Sequence, residues 1–166
     1  MTITVPTSIQ SSAIAAGDVF SVGPNWGEKS VTANNNQVWT KGLLLQAHAT
    51  TGVFSIAAAG TTGTGKFAVA ARPKALTDAE GIIFSKDAID KIALKADGTI
   101  VPNHRVKPAT TTLGEVDSFT DGTTAAGLEV GVYVGHINEV GSGSSLATNA
   151  ADGDIVVIEI APQNWI

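Results

Sequence analysis

Asp152-Gly153-Asp154-Ile155-Val156-Val157-Ile158-Glu159-Ile160 is the stretch that decides the class of fold. An Asp-Gly turn signal opens onto a nearly unbroken run of β-branched residues. The run is too short for a stable helix, and its apolar side chains do not follow a helical period. It reads as a strand covered on both faces. Upstream, Val130-Gly-Val-Tyr-Val-Gly-His-Ile137 reads the same way, with Gly131 and Gly135 marking bends or close backbone approach. Shorter strands are expected at Val19–Val22, around Leu43–Leu45, at Val53–Ile56 and at Phe67–Val69, with turns or loops at Gly23-Pro24-Asn25 and Asn34–Asn36. Ala, Gly and Thr dominate the chain, while Leu and the long charged residues that furnish helix surfaces are scarce. The expected class is therefore mainly β, a small barrel or sandwich with at most one or two short helices. No repeat of fixed period is visible.

Residues 82–101 admit two readings. Ser85 is placed to cap a helix with Ile89, Ile92, Ala93 and Ala96 on one face. Alternatively Ile92 and Leu94 alternate as a strand, and Asp97-Gly98 turns the chain back through Thr99-Ile100-Val101 as a hairpin. The favoured combination is one helical turn near Lys86–Asp90, followed by that hairpin. Gly60–Gly65 reads as a flexible loop or as a hinge between halves 1–65 and 66–166, so one barrel and two lobes both stay open.

Composition excludes several classes of function. No cysteine is present, so disulfides, thiolate zinc sites and cysteine nucleophiles are ruled out. Ten basic residues against fifteen acidic ones give a net charge of −5, and the basic residues are scattered, which disfavours nucleic acid as a partner. No apolar run reaches the 18 or more residues of a membrane helix. The N-terminus lacks a basic segment before an apolar core, so synthesis in a cytoplasm without a secretory leader is expected.

Motifs that suggest chemistry are incomplete. Gly60-Thr-Thr-Gly-Thr-Gly65-Lys66 has phosphate-loop spacing, but Phe67 stands where a hydroxyl must hold magnesium, and Pro73 follows where a helix is needed. His48, His104 and His136 lack zinc-helix spacing. No nucleophile elbow surrounds any serine, and Gly141–Ser145 reads as a linker. Asp117/Asp121 and Asp152/Asp154 lack the alternating ligands of a calcium loop and read as turn residues. No catalytic residue, cofactor or metal is expected. Trp26, Trp39, Trp165 and Tyr133 fall at no common spacing for a sugar-stacking face. Trp39 is expected in the core or at its rim. Trp165, followed by Ile166, must either float in water or dock, and docking against its own or a neighbouring subunit is the favoured reading.

Residues 1–16 read as an extended arm ahead of a β-rich domain spanning 17–166. In the arm Ile3 and Val5 alternate with Thr2 and Thr4 before Pro6, and Ile9 and Ile14 follow in small polar surroundings. Ordering about 15 residues costs roughly 15–30 kcal/mol. Burying these four side chains returns only about 6–12 kcal/mol. The arm is therefore expected to pair with a neighbour's strand rather than order itself. Ile3, Val5, Ile9, Ile14, Trp165 and Ile166 are the candidate partner-binding residues.

This order of parts resembles that of tailed-bacteriophage capsid decoration, or cement, proteins. The likeness is carried by the arm, by Ala96-Asp-Gly-Thr-Ile-Val101, by Gly131-Val-Tyr-Val-Gly135 and by Asp152–Ile160, and it is best over residues 82–160. It implies a β-barrel or β-tulip domain, trimeric as a homo-oligomer, on the exterior of an icosahedral virion. There it would bind the major capsid protein and bridge its neighbouring subunits. The resemblance carries over no active-site residues. The competing expectation is a non-enzymatic adhesive β module that recognises a glycan or a host surface, favoured if Trp26 or Tyr133 is exposed among polar groups.

Overall fold

The computed structural model describes residues 15–20, 27–58, 66–84, 86, 90–136 and 149–166. The arm up to Ile14, the Gly60–Gly65 loop, Trp26 and Gly141–Ser145 lie outside the described residues. Eleven strands are defined: β1 (Val19–Phe20), β2 (Glu28–Thr32), β3 (Leu44–Ala47), β4 (Phe54–Ile56), β5 (Phe67–Ala70), β6 (Glu80–Phe84), β7 (Lys91–Lys95), β8 (Arg105–Pro108), β9 (Val116–Ser118), β10 (Gly131–His136) and β11 (Ile155–Ile160). Helical structure among the described residues is confined to short 3₁₀ turns, including Ala126–Leu128 and Pro162–Asn164. The mainly β class is as the sequence predicts.

The strands form two antiparallel sheets, ordered β2-β6-β5-β3-β4 and β1-β7-β11-β10-β8-β9. Each curls into a small barrel through one parallel bridge. Ala33, just past β2, pairs with Phe54 of β4, and Ala96, just past β7, pairs with Val116 of β9. With β1 set aside, both barrels share one strand order: first, fifth, fourth, second, third.

The registers correspond as well. Leu45↔Ile56, Gln46↔Ser55 and Ala47↔Phe54 in the first barrel match Val106↔Ser118, Lys107↔Asp117 and Pro108↔Val116 in the second. The isolated bridge Trp39↔Lys74 matches Ile100↔Ala150. Asn34 N–H donates to Phe54 O at 2.8 Å, as Asp97 N–H does to Val116 O. Gly42 N–H donates to Ala70 O and Asn103 N–H to Tyr133 O, both at 2.9 Å. Gly42 has φ +90°, and its counterpart Asn103 is, among the described residues, the non-glycine residue with positive φ (+63°). Even the turn before the last strand repeats: Ala75 N–H bonds the Asp78 carboxylate, and Ala151 N–H that of Asp154. The chain is a tandem repeat of one five-stranded barrel, β2–β6 followed by β7–β11.

This corrects two readings of the sequence. A repeat exists, and its boundary falls between Phe84 and Lys91, whereas Gly60–Gly65 lies within the first barrel, between β4 and β5. Residues 92–95 are strand, but Asp97-Gly98 does not fold the chain back along β7. Both edges of β7 are already taken, by β11 and β1, so Thr99–Val101 runs on until Ile100 pairs with Ala150. Of the helical turn expected at Lys86–Asp90, residues 87–89 lie outside the described residues.

The repeat escapes the eye because the barrels are filled differently. In the first, Trp39 is fully buried, and a Cβ on Gly81 would fall only 2.0 Å from its Cζ3. The corresponding residues of the second barrel are Ile100 and Val156, a smaller side chain facing a larger one. Similarly Ala70 corresponds to Tyr133. Close packing requires each interior to be filled without overlap, so these exchanges come in compensating sets.

The barrels are fastened by the chain's last residues. Beyond the Pro162–Asn164 turn, Trp165 is in extended conformation and makes a parallel bridge with Phe67 of β5. Its ring joins the core shared by β10, β11 and the outer face of β3 and β5, meeting Phe67 edge-on at 6.4 Å. Trp165 Nε1–H donates to Val130 O at 2.8 Å. Ile166 packs toward the other core, that of the first barrel. Its N–H donates to Phe67 O, and its carbonyl accepts from Lys86 N–H. Successive residues of an extended chain face opposite ways, so two residues engage two cores.

Candidate functional site

Three surfaces of the molecule have chemistry to offer, and the repeat shows which of them the fold itself does not require. The first is the outer edge of β2. Its residues Glu28, Lys29, Ser30 and Thr32 are exposed, with Val31 half-buried. It pairs with β6 on its inner side only, and no described residue pairs with its outer side. In the second barrel the matching edge, that of β7, is covered. Val19 and Phe20 pair there with Ile92 and Lys91, Ala93 N–H donates to Asp18 O at 2.9 Å, and Gly17 N–H donates to Ala93 O at 2.7 Å. The covering segment is held on the first barrel. Asp18 pairs with Lys41 at 3.0 Å, and Ala16 packs so closely on Gly42 that no Cβ fits there. Burial alone would raise the Asp18 carboxyl. The Ala15 N–H and Lys41 together outweigh it and hold the group below the ordinary carboxylate range. Beside the start of β2 an open groove of about 420 Å³ is lined by Val19, Phe84 and the charged Glu28, Lys41 and Arg72. Arg72 Nη2 and Glu28 Oε2 lie 2.6 Å apart.

The other two surfaces are the matching tips of the barrels. On the first, Val38 and Leu76 flank the Trp39–Lys74 bridge and are 55% and 52% exposed, an apolar tip. Beneath it Lys74 is buried, donating to the carbonyls of Gln37 and Ala75 over the face of Trp39. On the second, Asp97, Glu115 and Asp152 bring carboxylate oxygens within 4.8 Å of one another. Oxygen-only donors of this kind suit a hard cation. The chain supplies its own counter-charge there. Lys95 Nζ lies 2.7 Å from Glu115 Oε1, and Thr112 donates to Asp97 through both its N–H and its hydroxyl. The bond to Glu115, with the further charges of Asp152 and Asp97, raises the Lys95 pKa above its ordinary value.

The sequence candidates distribute as follows. Ile3, Val5, Ile9 and Ile14 lie outside the described residues. Trp165, 1% exposed, docks on its own subunit. Ile166 is half-buried beside the first barrel's core. Tyr133 and Trp39 are fully buried and present no sugar-stacking face. His48 follows β3 and His104 precedes β8, opposite ends of matching strands in different barrels. His48 Nδ1 accepts from the N–H groups of Thr50 and Thr51, an ordinary loop role. Sequence reasoning missed the β2 edge because Glu28-Lys-Ser-Val-Thr32 is polar at four of its five positions. A strand exposed on one face and one edge leaves almost no apolar signal.

The chain matches no family model and no curated protein.

Proposed function

We propose that this chain is a non-enzymatic structural protein of a bacteriophage particle. In this reading it sits as a homo-oligomer on the outside of an icosahedral capsid and bridges neighbouring subunits of the major capsid protein. The observation that carries the reading is where the molecule keeps its unsatisfied capacity. Each barrel interior is filled by the chain's own side chains, while an exposed strand edge and two chemically distinct tips face outward. Such a surface recognises other proteins by strand addition and shape. The phage assignment itself rests on the likeness of the arm and of residues 96–101, 131–135 and 152–160 to decoration proteins. Several weak contacts tied through one oligomer gain avidity, which suits a clamp on a repetitive lattice.

The test is co-sedimentation of the purified protein with empty phage heads, with and without residues 1–14. The intact protein is expected to saturate the shells at a fixed stoichiometry and to raise their melting temperature. The truncated protein is expected to fold and bind more weakly. Failure to bind any shell, or equal binding by the two forms, refutes this role for the chain and its arm.

A further inference from the structure

We propose that the outer edge of β2 is a strand-acceptor site, filled by the N-terminal segment Thr2–Val5 of a second copy of this chain. The repeat supplies the precedent. Ser30 in β2 occupies the position of Ala93 in β7 by register. The N–H and carbonyl of Ala93 both point away from β11 and are both engaged by residues 17–18. Those of Ser30 likewise point away from β6, because its partner Ile82 turns its own carbonyl the other way, to Ala71 N–H. No described residue meets them. The same backbone geometry thus carries a covering strand in one barrel, and in the other no described residue covers it.

The segment Thr2-Ile3-Thr4-Val5 has the pattern that site requires. It alternates with a period of two, and it ends at Pro6, which has no N–H to offer a ladder. In the precedent, Val19 of β1 packs against the second barrel's core. At the β2 edge half-buried Val31 lies against the first barrel's core, where Ile3 or Val5 would extend the same apolar face.

The donor is another copy because of how the filled site is built. The strand covering β7 is anchored on a barrel other than the one it covers, by Asp18–Lys41 and by Ala16 on Gly42. This chain's own arm leaves from Ala15, on the very barrel that bears the β2 edge. Applied to β2, the same rule takes the strand from a neighbour. The fourteen residues before Ala15 reach about 45–50 Å when extended, enough to cross to it. Donor and acceptor surfaces differ, so the contact is head-to-tail and links copies in series, as a ring where the rotation closes and as an open chain where it does not. This inference is independent of the phage reading, and its test uses no capsid.

The absence of cysteine makes the test clean. Single cysteines are placed at residue 3, 4 or 5 in one sample and as Ser30→Cys in another, then mixed and mildly oxidised. The geometry of a disulfide admits only facing positions. A linked pair of chains, joined between the arm and residue 30 at one arm position, is expected. Ser30→Pro is the second arm, since proline is tolerated on an edge strand whose N–H faces outward. It is expected to keep the β spectrum and to shift the sedimenting species from oligomer to monomer. The proposal is overturned by a wild-type monomer or an unchanged mass in Ser30→Pro. It is equally overturned if no such cross-link forms between the two single-cysteine samples.

Discussion

Replacing Trp165 by alanine should do more than remove one core side chain, because that residue belongs to both barrels' contact. Truncating a buried tryptophan costs about 3–5 kcal/mol. Its Nε1–H bond to Val130 O is lost as well, but that carbonyl keeps the Ala161 N–H at 3.0 Å, so the added cost is only about 0.5–1.5 kcal/mol. The sum, roughly 4–6 kcal/mol, is a large part of the 5–15 kcal/mol typical of a folded domain. At about 2–4 °C per kcal/mol for a chain of this size, the melting temperature should fall by roughly 8–24 °C. Trp165→Phe keeps the ring against Phe67 and loses only the hydrogen bond and some area, so it should cost roughly 1–2 kcal/mol. Urea titration followed by circular dichroism measures both variants. Because the residue joins the two barrels, the alanine variant should also unfold in two steps where the parent unfolds in one. A loss below about 1 kcal/mol for Trp165→Ala, or equal losses for Ala and Phe, refutes the view that this side chain fastens the halves together.

Gly81→Ala should destabilise by about 1–3 kcal/mol through overlap with the Trp39 ring. Adding Trp39→Ile to Gly81→Val, which installs the second barrel's pair, should recover part of the loss in a double-mutant cycle; strict additivity would contradict the compensation argument. Asn103→Gly should be neutral or mildly stabilising, whereas Asn103→Val should cost about 1–2 kcal/mol, as read from thermal melts, because a β-branched residue resists φ +63°. The Lys95–Glu115 bond raises the Lys95 pKa, so its contribution is fully present below the ordinary lysine value of 10.5 and is lost as pH climbs through the higher folded value. The melting-temperature gap between the parent and Lys95→Met should therefore be level up to about pH 10 and shrink above it; a gap that widens there would reverse the sign. For Asp18, whose carboxyl is held below 3.8, stability is present above that value and lost as pH falls through the folded one. The gap between the parent and Asp18→Asn should accordingly close only in strong acid.

The two longest strands were legible because their apolar runs are dense. Ile155–Ile160 and Gly131–His136 could hardly be anything else. The strands of three to five residues at Glu28–Thr32, Arg105–Pro108 and Val116–Ser118 were not. An edge strand has polar residues where it meets water, and three residues give no period to detect. Thr99–Val101 reads as a returning hairpin strand because Asp-Gly is a strong local signal, and local signals do not know that both edges of β7 are occupied. The repeat was hidden for a deeper reason. What the halves share is backbone pairing, and at matched positions identity survives at Ala33/Ala96, Val69/Val132, Ala75/Ala151, Asp78/Asp154 and Ile83/Ile158. The interiors were repacked around different aromatics, Trp39 and Tyr133, so hydrophobic volume moved between positions even where the register did not. For the candidate site, the docking of Trp165 is the favoured of two readings that its terminal Trp-Ile pair allows. The β2 edge became recognisable only through its filled counterpart.

The two barrel tips carry a consequence for any assembly built from this chain. Where the first barrel presents exposed Leu76, its twin presents Asp152 beside Asp97 and Glu115. A strict duplicate would lie equally well either way round on a lattice. This molecule has a compass: a greasy pole and an anionic pole set in like frames. Contacts that distinguish oil from charge orient every copy in the same sense.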